Sequence, residues 1–417
     1  MKRTSLLWAA WLLLTAFSDD PVQIFVKDVL TSTLRDRRFV NSQKTIDFVN
    51  SLSYRLPVLH DLGFKYGADD LTKAKQQYSL SLGFNSFKKI REQEAIKKAQ
   101  INVYSAKKDA LVNQVIKERY KDIVDVYCTQ TVISKQKRLD TLLNQRNLAF
   151  KTALQKGLPV KIKDLVETEE DMRNLRTTLA ETQIIYTTGY QHIKDYLGVQ
   201  YNVALNFDNF ISIAKLENIL IALKNSHVWQ SPEIKVRQNQ IGLAQAELKL
   251  EEANFHQFFD AFQLIYEKAP QKDLTVKDFS FRVGFNIPLK GNFKPKQNEL
   301  LLDIKEAEND YNFAFFETDR LVKLQIIKVE NALKLYNECA ERLNNSLAQS
   351  FLNTPSVYSS LSATDIIDLK IIQQKKEIEV AQMCFKIMTD YIALLDMTGD
   401  LVYPPYKNYL SDNLEKW

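Results

Sequence analysis

Two stretches of the chain alternate strictly between apolar and polar side chains. Alternation with a period of two is typical of a β-strand that has one apolar and one polar face. Each stretch is preceded by a polar loop and by a second candidate strand, at residues 62–66 and 258–266. The pattern therefore predicts two hairpins, with four strands in all. The apolar positions of the second strands are Tyr78, Leu80, Leu82 and Phe84 in the first hairpin and Phe279, Phe281, Val283 and Phe285 in the second.

Helical periodicity follows each hairpin. Residues 85–156 and 286–353 predict two very long helices, and residues 164–198 and 365–399 predict two return helices of roughly half that length. In the second long helix, apolar residues alternate steps of four and three, which is typical of a coiled-coil seam. A soluble coiled-coil scaffold would show the same seam, so the pattern does not by itself indicate a membrane protein. The seam comprises Val322, Ile326, Val329, Leu333, Tyr336, Ala340 and Leu343.

The two halves of the chain repeat each other. An offset of 201 residues aligns the two second strands and also relates Asp164 to Asp365 and Gly198 to Gly399. A period of this length is too long for a solenoid repeat and indicates a duplicated domain. We expect two tandem repeats, each with a short helix, a β-hairpin and a long helical hairpin. The expected boundaries are 19–204 for the first repeat, 205–230 for an equatorial linker, 231–400 for the second repeat and 401–417 for a C-terminal tail.

The composition agrees with a mainly α-helical fold that has a small β part. Only 10 Gly and 10 Pro occur in 417 residues, whereas average usage is roughly 7% and 5%. The chain contains no nucleotide-binding loop and no nucleophile motif. We therefore expect no enzymatic activity, no cofactor and no metal site. The four histidines are scattered along the chain, at His60, His192, His227 and His256.

The first 18 residues are typical of a secretory signal peptide. Lys2 and Arg3 precede an apolar run over residues 6–14, and small residues at Ala16 and Ser18 precede the expected cleavage point. The run is shorter than the ~20 residues of a membrane-spanning helix. Without Lys2 and Arg3 the formal charge falls from +5 to +3. A chain so close to neutral gives no support to a nucleic-acid partner.

Three cysteines, Cys128, Cys339 and Cys384, lie in stretches with helical periodicity. An odd number cannot form a complete set of disulfides in an exported protein. Free cysteine is commonly a small buried residue, so we interpret all three as packing residues. The sequence leaves open whether each of them is free.

The predicted strands have two possible environments. A small soluble sheet would pack its apolar face on a helix, whereas a tilted strand of nine to eleven residues can cross a bilayer. The export signal and the aromatic-rich apolar faces favour the membrane. Four strands cannot close a barrel, and open strand edges are not tolerated in lipid. Inserted strands would therefore have to be shared among several chains.

In these features the chain resembles the TolC-like outer-membrane efflux proteins. The resemblance covers nearly all of the mature chain and rests on the duplicated halves and on the order of three motifs. These are the strand–helix junction at 284–291, the helix start Ser231-Pro232-Glu233-Ile234 followed by Ile241, Ala244 and Leu248, and the turn from Gly157-Leu158-Pro159 to Asp164-Leu165. The chain departs from the family pattern at Ser86-Phe87, which replaces the Ile287-Pro288 of the second half, and at residues 358–362, a turn without glycine.

The resemblance implies a homotrimer whose chains each contribute four strands to a shared transmembrane β-barrel in the outer membrane. The helices would form a tunnel across the periplasm, and the apolar strand residues named above would face lipid. The implied partners are a periplasmic adaptor (a membrane fusion protein) and an inner-membrane pump of the RND or ABC type. The implied function is passive export of small molecules or proteins through a duct gated at its periplasmic tip. One alternative remains open, a soluble periplasmic coiled-coil scaffold.

Acidic residues begin both return helices. Asp365 and Asp368 are three residues apart and share one helix face, and Asp164 and Glu167 hold corresponding places in the first half. Helix capping alone would explain acidic residues at these positions. The resemblance implies a further role, as rings of carboxylates at the periplasmic gate that select cations. It also implies adaptor contacts at the hairpin tips, for which the candidates are Gly157, Leu158 and Ser362.

Overall fold

The computed structural model describes residues 22–68, 76–224, 231–256, 259–268, 279–285 and 293–417. The predicted signal peptide, the junction Ile287-Pro288 and His227 lie outside the described residues. Within them the elements follow in the order β1 (Val22–Phe25), α1 (Val26–Thr31), α2 (Arg37–Ser51), β2 (Leu59–Ala68), β3 (Gln76–Phe84), α3 (Phe87–Gln155), α4 (Ile162–Leu197), β4 (Val203–Asn206), α5 (Ile213–Lys224), α6 (Pro232–Phe255), β5 (Phe259–Lys268), β6 (Phe279–Phe285), α7 (Phe293–Asn344), α8 (Leu347–Asn353), α9 (Pro355–Tyr358) and α10 (Ala363–Thr398).

The two halves repeat the same order of elements, as the sequence predicts. Each has a β-hairpin, a long helix and a return helix, and the return helices α4 and α10 both contain 36 residues. Both return helices end at a glycine with positive φ, +68° at Gly198 and +79° at Gly399. Glycine is favoured in this left-handed position because it has no Cβ to clash with the backbone. The landmarks found by the 201-residue offset therefore have the same structural role in both halves.

The second long helix is shorter than the sequence predicts. Whereas α3 runs without a break over 69 residues, α7 ends at Asn344 and is followed by the short helices α8 and α9 instead of continuing to residue 353. Ser346 leaves the helical conformation, with φ −70° and ψ 125°. The Lys376 amine donates hydrogen bonds to the carbonyl of Arg342 at 3.3 Å and to Ser346 Oγ at 3.1 Å. It thus satisfies a carbonyl that the helix end leaves without a partner.

The chain divides into two compact units, and each takes residues from both repeats. The first is drawn from the described residues of Met1–Phe39, Leu111–Ser231 and Thr318–Trp417, and the second from those of Val40–Ala110 and Pro232–Glu317. The first unit has a hydrophobic core to which α3, α7 and α10 all contribute buried side chains. The predicted seam of α7 begins within this core. The fully or nearly buried residues of the core include Ile116, Ile123, Val322, Val329, Ile387 and Tyr391.

The second unit contains a four-stranded antiparallel sheet in the order β2-β3-β5-β6. The two hairpins pair through their inner strands, β3 and β5. Each hairpin has a register shift at the same place, between Leu59 and Asp61 in the first and between Phe259 and Ala261 in the second. A shift of this kind is a β-bulge, which bends a strand and increases its twist. The duplication therefore extends to an irregularity of the sheet.

Candidate functional site

The sheet has one apolar face that continues across all four strands. Its register sets Leu82 of β3 opposite Leu62 of β2 and Phe262 of β5, and sets Phe262 opposite Val283 of β6. Cross-strand neighbours lie close enough for their side chains to pack together. The alternation predicted for single strands is thus confirmed as a face of the whole sheet. Further rows of this face are Phe64, Leu80, Leu264 and Phe281, and Tyr66, Tyr78 and Tyr266.

The apolar face is uncovered in the single chain. Phe64 is 69% exposed, Phe281 68% and Leu62 64%, and no residue of this face belongs to either buried hydrophobic cluster of the described residues. On the opposite, polar face, Ser79 is only 7% exposed. A half-buried sheet in a soluble protein shows the reverse, with the apolar face on the core and the polar face in water.

Aromatic and charged side chains are segregated on the sheet. Tyr66, Tyr78 and Tyr266 form one row near the hairpin loops, with ring centroids 5.2 Å apart for Tyr66 and Tyr78 and 6.3 Å apart for Tyr78 and Tyr266. Lys65 and Arg282 alternate with the apolar residues and therefore lie on the polar face. An aromatic row at the rim of an apolar band, with charges kept to the other face, is typical of strands that contact lipid.

The acidic start of α10 is a capping box. Ser362 is the N-cap residue, and its hydroxyl accepts a hydrogen bond from the Asp365 amide at 3.1 Å. The Asp365 carboxylate in turn accepts from the Ser362 amide at 3.1 Å and from its hydroxyl at 2.6 Å. These hydrogen bonds lower the pKa of Asp365. The capping function that the sequence predicts is therefore present, with Ser362 as the cap and Asp365 three residues later.

Asp368 points to a different neighbour. Its Oδ1 lies 2.8 Å from Arg146 Nε, on α3, and the contact is an ion pair without hydrogen-bond alignment. Burial raises the pKa of Asp368, the carboxylates of Asp365 and Asp164 raise it further, and the Arg146 charge offsets only part of this effect. Three of the four predicted gate residues thus interact with one another, namely Asp365 and Asp368 of α10 and Asp164 of α4. Arg146 of α3 supplies a positive charge to the same cluster.

The remaining predicted positions lie apart from this cluster. Glu167 pairs with Lys163 on its own helix at 3.6 Å, and both side chains are exposed. Gly157 has φ +69°, and Leu158 beside it is 55% exposed. Sequence reasoning did not identify Arg146, because nothing in the local pattern of α3 separates it from the other cations of that helix. Only its position opposite α10 does so.

No helix in the described part of the chain is both long enough and apolar enough to cross a bilayer. The same residues contain no group of three or more His, Cys, Asp or Glu side chains placed to hold a metal ion.

Comparison with solved structures relates this architecture to outer-membrane channels. The chain is similar to the outer membrane protein VceC from Vibrio cholerae, with 11% identity, a TM-score of 0.60 and coverage of 90% of this chain and 96% of that chain. It is also similar to the open state of the Neisseria gonorrhoeae MtrE outer membrane channel, with 13% identity, a TM-score of 0.63 and coverage of 90% and 88%. A third similar structure is the Campylobacter jejuni CmeC outer membrane channel, with 12% identity, a TM-score of 0.59 and coverage of 90% of this chain and 85% of that chain.

No described protein family matches the chain, and no curated protein does. At identities this low, structural similarity establishes the fold. The chain has the fold of the TolC-like outer-membrane channels, and the predicted fold class, mainly helical with a few strands, is confirmed.

Proposed function

We propose that the chain is one subunit of an export duct in the outer membrane. Three copies would each contribute four strands to a shared transmembrane barrel, and their helices would form a tunnel into the periplasm. The duct would pass small molecules or proteins that an adaptor and an inner-membrane pump, of the RND or ABC type, deliver to it. It would do so without catalysis. The observation that carries this proposal is the uncovered apolar face of the sheet.

The energetics of that face favour lipid over water. Removing apolar surface from water stabilises a protein by about 25 cal/mol per Å², and a contiguous exposed apolar patch generally marks an interaction surface. Among the described residues, the outer edges of β2 and β6 pair with no further strand, and lipid does not tolerate unpaired backbone groups. Pairing of β2 with β6 of a neighbouring copy would satisfy these edges and continue the apolar face.

The acidic cluster is proposed as the periplasmic gate. In a trimer, Asp365, Asp368 and Asp164 would each be present in three copies, and rings of carboxylates attract cations and raise a barrier to anions. The ion pair between Arg146 and Asp368 joins α10 to α3 and would hold α10 in its resting position. Gly157, Leu158 and Ser362, at or near the turns, remain the candidates for adaptor contact.

A charge placed on either face of the sheet tests the membrane assignment. Leu82→Arg puts a cation on the apolar face, where lipid would impose about 2–4 kcal/mol at the bilayer centre. Gln263→Arg, one residue along from the cross-strand partner of Leu82, puts the same cation on the polar face and is the matched control. We expect Leu82→Arg to abolish recovery of the protein from the outer membrane, and Gln263→Arg to leave recovery unchanged.

Fractionation and the mass of the detergent-solubilised protein complete the test. A trimer in the outer membrane supports the duct. A monomer or dimer in the soluble periplasmic fraction, with both arginine variants behaving alike, would exclude it and favour a soluble scaffold.

A further inference from the structure

Helices α3 and α10 of the first unit run antiparallel, and two ion pairs fix their register. Lys117 Nζ lies 2.5 Å from Asp396 Oδ2, and Lys135 Nζ lies 2.8 Å from Glu377 Oε2. The Gln374 side chain adds a hydrogen bond to the carbonyl of Lys135 at 3.2 Å. As residue numbers rise along α3, those of the contacting residues on α10 fall. Any residue between Lys117 and Lys135 that faces α10 therefore has a predictable partner.

Two cysteines occupy matched places in this register. Cys128 precedes Lys135 by seven residues, and Cys384 follows Glu377 by seven residues. Seven residues are about two helical turns, so each cysteine lies on the same side of its helix as the nearby ion-pair residue. The register therefore sets Cys128 opposite Cys384, and the charge of one thiol shifts the pKa of the other, as expected of neighbouring side chains.

The two thiols differ in their surroundings. Cys128 is 3% exposed and belongs to the hydrophobic core, whereas Cys384 is only partly buried. Interaction with Cys128 lowers the pKa of Cys384 against the opposing effect of burial. Cys384 is thus the member of the pair that solvent reaches and that ionises first, and the thiolate is the reactive form of cysteine. Cys339 lies elsewhere, with its thiol 3.5 Å from Glu379 Oε1.

We infer that Cys128 and Cys384 form a disulfide that ties α3 to α10 once the chain reaches a compartment containing disulfide donors. The presence of such a donor rests on the proposed export of the chain to the periplasm. The inference goes beyond the interpretation of Cys128 and Cys384 as packing residues. It leaves Cys339 as the single free thiol.

The chemistry requires a low-molecular-weight disulfide or an oxidoreductase disulfide as the oxidant. The Cys384 thiolate attacks one sulfur of the donor, which breaks the donor's S–S bond and releases one donor thiolate. Cys128 then loses its proton to that thiolate and attacks Cys384 Sγ in the mixed disulfide, which releases the second donor thiol after protonation from solvent. Two cysteine thiols are oxidised to one disulfide, and one donor disulfide is reduced to two thiols.

The bridge would restrain the two helices that also carry the proposed gate pair. Cys128 and Arg146 are 18 residues apart on α3, about 27 Å at 1.5 Å per residue. The bridge would therefore act as a fixed point within the body of the helix pair, leaving the ends of α3 and α10 that carry Arg146 and Asp368 free to separate.

Thiol counting on the full purified protein tests the inference. The protein is incubated with oxidised glutathione, denatured and alkylated, and its peptides are analysed by mass spectrometry without reduction. We expect one alkylated cysteine, Cys339, and a cross-linked peptide pair that contains Cys128 and Cys384. Cys339→Ser should still form the bridge, and Cys128→Ser should not. Three alkylated cysteines, or a bridge that includes Cys339, would overturn the inference.

Two further measurements separate this inference from the proposed function. Reduction should lower the melting temperature of Cys339→Ser by several degrees and leave that of Cys128→Ser unchanged. Equal responses of the two variants to reduction would count against the bridge. In cells, alkylation before lysis should trap the bridge in the membrane fraction. Protein found in the membrane fraction with all thiols free would overturn the bridge but would leave the proposed duct standing. A bridge formed in vitro by a protein found only in the soluble fraction would support the bridge and overturn the duct.

Discussion

Arg119 of α3 is almost completely buried, and its guanidinium pairs with Asp36, with Nη2 3.0 Å from Oδ2. Arg119 Nε also donates to Ser32 Oγ at 3.1 Å, and the guanidinium lies over the Tyr196 ring, 4.1 Å from its centroid. Ser32 and Asp36 belong to the segment between α1 and α2. The buried arginine therefore anchors the N-terminal segment to the core of the first unit.

Asp36→Ala should strongly destabilise the protein. The change leaves the Arg119 charge buried without its partner, and loss of one member of a buried pair costs about 3–5 kcal/mol. Burial alone would raise the pKa of Asp36, but hydrogen bonds from Arg38 and the charges of Arg38 and Arg119 lower it. Its contribution is thus present above the ordinary value of 3.8 and is lost as pH falls through the lowered pKa. Calorimetry from neutral to acid pH measures this.

The control for Asp36→Ala is Glu299→Ala, which breaks the exposed pair with Lys296. Exposed pairs contribute little to stability because water and salt screen them. Equal losses in the two variants would show that the buried arginine is not an anchor.

Asp365→Asn should destabilise the start of α10 in a pH-dependent way. The folded pKa of Asp365 is lowered by hydrogen bonds from Ser362, so its carboxylate stabilises the fold above 3.8 and stops doing so as pH falls through the lowered pKa. We expect a lower melting temperature at neutral pH and a difference that vanishes in acid. Ser362→Ala, which removes the hydroxyl half of the capping box at a cost of about 0.5–2 kcal/mol, should make the loss caused by the Asp365 substitution smaller, because only the backbone amide of residue 362 then still donates to Asp365. Additive losses would argue against the box.

Arg146→Gln should increase the conductance of the proposed channel in planar bilayers. The substitution removes the cation that offsets the buried charge of Asp368 and so releases α10 from α3. Arg176→Gln, on the neighbouring helix α4, breaks only a long, largely exposed contact with Asp140 at 3.7 Å and should leave conductance unchanged. Restoration of low conductance by Arg146→Asp combined with Asp368→Arg would identify the pair itself as the restraint, and failure of this exchange would assign the effect to local packing.

Gly198→Ala and Gly399→Ala should both destabilise the protein. Both residues have positive φ, where an added Cβ costs about 1–2 kcal/mol. Gly242, inside α6, provides the opposite control, because a Cβ there would meet no atom within 4 Å and Ala is favoured in helices by about 0.5–1 kcal/mol. The melting temperature should therefore fall in Gly198→Ala and in Gly399→Ala, and it should rise in Gly242→Ala. A loss at only one of the two caps would show that the repeats are not equivalent there.

The strands and the first long helix could be predicted because their determinants are local. Alternation sets the strand faces, and an almost uninterrupted run of helix formers sets α3. The end of α7 at Asn344 could not be predicted in this way, since the apolar seam continues to Leu343 and no Gly or Pro follows directly. The break is supported by the Lys376 side chain, which comes from α10 and is remote in sequence.

The candidate site also has some features that are determined locally in sequence and others that depend on remote residues. The capping box is a sequence signature four residues long, from Ser362 to Asp365, and the prediction of a capped helix start needed nothing more. The partners of Asp368 and Cys384 lie on α3, more than 200 residues away in sequence. No pattern within one segment identifies such pairs. They depend on the register of two antiparallel helices, which only the folded chain reveals.

The division of each compact unit between the two repeats has a consequence for synthesis. The core of the first unit needs residues of both α3 and α10, and the middle of the sheet is the pairing of β3 with β5. When the ribosome has completed only the first repeat, that product has half of each core and an unpaired strand edge. Neither unit can close until the second repeat arrives, so the nascent chain must be kept from aggregating until then. Chaperones that bind exposed apolar segments are therefore expected to act on the half-made chain until the second repeat is complete.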